Sequence, residues 1–77
     1  MKHLAKLRSM AGRSQWWLSS ETGIDRSFIS LIEHEHVTAT AEQEAAISKA
    51  LLAAMRQNVA EFSRLAKVGI ERLIPAA

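Results

Sequence analysis

The run from Ser14 to Glu33 constrains the fold most, because it holds two helix starts and one forced reversal within twenty residues. Ser14 is a good N-cap, since its hydroxyl can accept from a free backbone N–H in the first turn. Asp25 can do the same for a second helix. Gly23 lies between them, where the chain must turn and glycine takes a positive φ without steric penalty. Leu18, Ile24, Ile29 and Ile32 are the apolar residues that would pack the two helices together. The spacing predicts helices over about Gln15–Thr22 and Arg26–Glu35, joined by a tight turn at Gly23.

The flanking sequence extends this pattern. Leu4, Leu7 and Ala11 recur at helical spacing and predict a first helix from about Lys2 to Ala11, with Gly12 as its C′ stop. His36–Thr40 reads as a loop. Thr40 with Gln43 fits a capping box and starts a fourth helix. No Gly or Pro interrupts the chain between Thr40 and Val68, and Leu51–Arg56 consists of strong helix formers. The fourth helix either runs on to a Schellman-type stop at Gly69 or bends into a fifth near Ala53. Leu52, Met55, Val59, Phe62 and Ala66 alternate at spacings of three and four, a seam that a second copy of the chain could cover. Ile70, Leu73 and Ile74 carry apolar content onward. Residues 1–54 therefore read as the globular part, and 55–77 as a helical extension of the same compact domain and a dimerisation element.

Composition agrees with one small all-α domain. The chain has 77 residues, 48% of them hydrophobic, with three Gly and one Pro. That length is near the lower limit for a self-supporting core. The absence of cysteine excludes disulfides and thiolate metal sites. No apolar run reaches membrane-span length and no apolar leader is visible, so a cytoplasmic location is expected. A formal net charge of +2 permits nucleic-acid binding without arguing for it. Lys2, Lys6, Arg8, Arg13 and Arg26 concentrate the basic charge in the first third.

Leu4, Leu7, Arg8, Gly12, Ser14-Gln15, Leu18, Gly23-Ile24, Ile29-Ser30, Ile32-Glu33, Glu42 and Lys49-Ala50-Leu51 keep one register without a gap. In that combination the chain resembles the Cro/C1-type, phage-repressor-like (xenobiotic-response-element-like) helix-turn-helix family over roughly two-thirds of its length. It departs where the family has Leu, Ala, Gly and Pro, at Arg13, Ser19, Glu35 and Ala39 respectively. The resemblance implies a lambda-repressor-like bundle of four to five helices, here with an extended C-terminal helix. It also implies that Arg8 and Glu33 form a partly buried ion pair, which places neither in a catalytic or DNA-contacting role.

In such a domain the second of the paired helices enters the DNA major groove. Arg26, Ser27, Ser30 and Leu31 are then the base-contact candidates. Arg26 is foremost, because its planar fork can bond guanine O6 and N7 together. Gln15, Arg13, Lys6 and His36 are expected on the DNA backbone. Phe28 is expected to pack against a neighbouring helix. Trp16 and Trp17 point about 100° apart on a helix, so both cannot face one core. They read as extra core for a small domain, with an exposed interface tryptophan as the sharper alternative.

Glu33-His34-Glu35-His36 is not a metal site on this reading, because residues two apart on a helix diverge. His34 and His36 lie where helix carbonyls are free. No nucleophile, base and oxyanion donor can be assembled, so no enzymatic activity and no cofactor are expected. The expected function is a sequence-specific transcriptional regulator, a homodimer that joins through Leu52, Met55, Val59 and Phe62. It would bind a pseudo-palindromic double-stranded operator and repress by occluding a promoter. The alternative is a protein-interaction module, an antitoxin or anti-activator, gripping a partner with its C-terminal helix. No membrane association is expected.

Overall fold

The computed structural model describes the backbone of residues 1–73 and the side chains through Lys67. Four helices follow one another: α1 (Leu4–Met10), α2 (Gln15–Thr22), α3 (Arg26–Glu33) and α4 (Ala41–Leu73). There is no strand among the described residues. None of these helices is long and apolar enough to cross a membrane.

Each helix boundary has a local chemical cause. Ser14 Oγ accepts from Trp17 N–H at 3.0 Å, and Asp25 Oδ1 from Ser27 N–H at 2.9 Å. Thr40 and Gln43 cap each other: Thr40 N–H donates to Gln43 Oε1 at 2.9 Å and Gln43 N–H to Thr40 Oγ1 at 3.1 Å. Gly23 ends α2 at φ 74°, and its N–H donates to the Ser19 carbonyl.

α1 and α3 end in the same way. Gly12 has φ 67°, and the N–H groups of Gly12 and Arg13 donate to the Ser9 and Arg8 carbonyls. After α3, Glu35 has φ 59°, and the N–H groups of Glu35 and His36 donate to the Ile32 and Leu31 carbonyls. Both are Schellman stops, one built on glycine and one on glutamate. The left-handed conformation costs an L residue about 1–2 kcal/mol. Glu35→Gly is therefore expected to stabilise the chain by about 0.5–1 kcal/mol, after the extra freedom of glycine in the unfolded state is deducted. A higher urea midpoint at unchanged slope is the expected readout; a lower midpoint overturns the strain argument.

Three helices differ from those expected. α1 is shorter, starting at Leu4, because His3 takes φ 64° and offers no side-chain cap. α3 stops at Glu33, two residues early, because Glu35 is already left-handed. α4 bends neither near Ala53 nor stops at Gly69, but continues as one helix to Leu73. A glycine inside a helix costs only about 1 kcal/mol, and the helix formers on either side propagate the turn. No break therefore separates residues 1–54 from the extension. Ile74, and with it the end of the 55–77 segment, lies outside the described residues.

The core is small. Leu4 and Ala11 of the α1 region, Leu18 of α2, Ile29 and Ile32 of α3, Ala39, and Ile47, Leu51 and Ala54 of α4 are buried together. Trp17, Ile24, Phe28 and Met55 pack against them and remain partly open. Beyond Ala54 the helix leaves the core and gives the molecule its 56 × 19 × 18 Å shape. Among the described residues Asn58 is the last to tie α4 to the rest by a hydrogen bond, its Nδ2 donating to the Ala11 carbonyl at 2.8 Å.

Candidate functional site

A polar chain of four side chains runs through the three short helices. Arg8 of α1 donates from Nε to Glu33 Oε1 at 3.1 Å, and its Nη2 lies 3.0 Å from the same oxygen. Glu33, at the end of α3, has a side chain only 3% exposed, against 21% for Arg8. Its carboxylate also accepts from Gln15 Nε2 at 3.0 and 3.3 Å. Gln15, the first residue of α2, in turn accepts through Oε1 from Arg26 Nη1 at 3.3 Å. Arg8 Nη1 donates to the Arg13 carbonyl at 2.8 Å, which fixes the turn between α1 and α2. A buried carboxylate is tolerable only with its charge and lone pairs met, and here three donors from two elements meet them.

The chain ends at Arg26, the first residue of α3. Its guanidinium lies over the Trp16 ring, Cζ 4.7 Å from the ring centroid. Nε is buried and has no hydrogen-bond partner. Trp16 itself is 70% exposed. Ser27 and Leu31 are exposed and Ser30 is half-buried on the same helix. Lys6 and His36 are exposed. The His36 ring stacks on that of His34, centroids 6.1 Å apart, and His34 Nδ1 lies 2.8 Å from the Ser30 carbonyl.

Arg13 sits elsewhere. Its guanidinium lies over Trp17 at 5.3 Å, and Nη2 donates to Gln57 Oε1 of α4 at 3.4 Å. The structure thus gathers Arg8, Gln15, Arg26 and Glu33 into one network and turns Arg13 toward α4. It also divides the tryptophan pair. Trp17 packs against the core, while Trp16 does not, so the pair is not simply extra core.

A second, apolar surface lies along α1 and α4. An open groove of about 290 Å³ is lined by Met1, Leu7, Met10, Leu51, Leu52 and Met55, with Ser48. Of the helix-one stripe Leu4, Leu7 and Ala11, Leu7 is exposed here while the other two are buried. Leu52, Val59, Phe62 and Leu65 continue the exposed strip along α4, whereas Met55 is partly taken up by the chain's own core. Leu7, Met10 and Leu65 are additions that the α4 seam alone did not indicate. The spacing of Leu7 and Met10 puts them on one side of α1, a signal visible in the sequence. Asn58 and Gln57 carry no such signal, because their partners lie 47 and 44 positions away.

Comparison with known proteins gives no match to any family model, curated protein or solved structure.

Proposed function

We propose that the chain is a sequence-specific DNA-binding regulator built on a Cro/C1-type helix-turn-helix, acting as a dimeric repressor. α2 and α3 would be the paired helices, with α3 in the major groove. The observation that carries this reading is the Arg8–Glu33–Gln15–Arg26 network. It ties α1, α2 and α3 together through buried charge, and its free end is an arginine on the first turn of α3. Glu35 supports it too, holding the left-handed φ at the position where the resemblance has glycine.

On this reading Arg26, Ser27, Ser30 and Leu31 face base edges. The first backbone N–H groups of α2 meet a phosphate at its positive end, beside Gln15. Lys6 and His36 lie against the sugar-phosphate wall. Two copies, one per half-site, would occlude a promoter. The exposed strip from Leu7 to Leu65 suits pairing of two copies, since each half-exposed side chain contributes roughly 1 kcal/mol when covered.

Arg26→Ala is expected to lower affinity for a cognate duplex by about 1–3 kcal/mol and to relax preference at one base pair per half-site. Lys6→Ala is expected to weaken all sequences alike. Lys6 is a cleaner backbone control than Gln15, which also holds Arg26. Titrations at fixed salt against single-base variants of a duplex selected by the wild type decide the matter. A uniform loss for Arg26→Ala makes it a phosphate clamp instead. Footprinting on the chain's own upstream region is the direct test of the regulatory role.

The apolar groove supports one other reading, a protein-interaction module that grips a partner along α1 and α4. Salt-dependent retention on heparin separates the two, because only the DNA-binder needs it.

A further inference from the structure

We infer that Trp16 is a positioning residue for readout: its indole holds the Arg26 guanidinium in the plane from which it selects its base. This rests on the DNA-binding reading above and deepens it. Arg26 would otherwise be a long, rotamer-rich side chain at a helix start, free to grip any nearby phosphate. Two contacts remove that freedom. Gln15 Oε1 takes Nη1 at 3.3 Å, and the Trp16 ring lies 4.7 Å from Cζ. Nε is buried without a partner and so is not presented to a ligand. With one Nη1 hydrogen on Gln15, the other Nη1 hydrogen and both on Nη2 are left to meet a base, and a guanidinium presented through these groups matches guanine O6 and N7.

The exposure of Trp16 is otherwise unexplained. It is 70% exposed on the first turn of α2, while its neighbour Trp17 packs against the core. A cation over an indole face is stabilised by the ring quadrupole, and indole is the best of the aromatic faces. Gln15 alone would constrain the guanidinium at one point. The ring constrains its plane.

The test combines a DNA-free and a DNA-bound measurement on wild type, Trp16→Ala, Trp16→Phe, Arg26→Ala and the Trp16→Ala/Arg26→Ala double variant. In the free protein, the Arg26 Nε–H resonance should be displaced by the indole ring current. It should return toward an ordinary arginine position in Trp16→Ala and move partway in Trp16→Phe. An unchanged resonance in Trp16→Ala overturns the stacking. The DNA probes are a duplex enriched by the wild type from a random pool and a scrambled duplex of equal length.

Trp16→Ala should lose roughly two- to fivefold on the enriched duplex and nothing on the scrambled one. The loss should fall at the base pair that Arg26→Ala relaxes, Trp16→Phe should recover most of it, and the double variant should bind no worse than Arg26→Ala. Equal losses on both duplexes, or full additivity in the double variant, overturn the positioning role and make Trp16 a general contact. If the wild type enriches no sequence, the DNA-binding reading fails and the proposal with it. The resonance arm still reports whether the stack exists.

Discussion

Glu33→Ala is expected to lower stability by about 3 kcal/mol, as much as truncating a buried core side chain. Removing one member of a buried ion pair typically costs about 3–5 kcal/mol, because the partner is left charged and unpaired. The lower end applies here, since Arg8 is 21% exposed and can reach water. Glu33 also satisfies Gln15 Nε2, so a second donor loses its partner. In a domain this small the change corresponds to a drop of roughly 15 °C in melting temperature. Arg8→Ala should follow closely, because it strands the carboxylate. Arg13→Ala should cost far less: its guanidinium bonds only Gln57, at an exposed site, and lies over Trp17. Thermal melts of the three variants check this order. Equal midpoints for Arg8→Ala and Arg13→Ala would remove the network from the stability argument.

The second large effect concerns assembly. Val59→Asp with Phe62→Asp is expected to give a folded monomer that has lost most of its operator affinity. Val59 is 58% and Phe62 73% exposed, and neither belongs to the core cluster, so the intramolecular fold should melt as before. Phe62 does not fold back on the tryptophan pair, the arrangement that would have made the double change unfold the chain. Two aspartates facing two more across a seam would separate the copies. Each half-site would then be bound alone, forfeiting an avidity gain on the order of 10²–10⁴. Sedimentation at micromolar concentration should show a wild-type dimer and a variant monomer. A monomeric wild type ends the proposal. A variant that stays dimeric moves the interface to the groove at Leu7 and Met10.

The features that were legible in the residues share one physical property: their causes lie within a single turn. The Ser14 and Asp25 caps, the Thr40–Gln43 capping box and the reversal at Gly23 all join groups two to four positions apart. Such chemistry is decided before any tertiary contact forms. Of the residues singled out by the apolar pattern, Leu4, Ala11, Leu18, Ile29 and Ile32 are buried, Ile24 is partly buried and Leu7 is exposed. The Arg8–Glu33 pair spans 25 positions and was indicated only by resemblance, because spacing says nothing about which charges meet across a bundle.

By itself the sequence thus determined three short helices and the start of a fourth whose continuity it left open, where α2, α3 and α4 begin, and an all-α core too small to bury every apolar residue. Tertiary structure decided which apolar residues stay outside. Leu4 and Leu7 lie on the same side of α1, yet only Leu4 is buried in the core, and Leu7 is left lining the groove beside α4. Trp16 and Trp17 are identical in kind and adjacent, yet only Trp17 reaches the core. The reason is geometric. A helix period says which side chains share a face, whereas the crossing of three helices sets how much of each face is covered. The same crossing brought Gln15 between Glu33 and Arg26, and so joined buried charge to the first turn of α3.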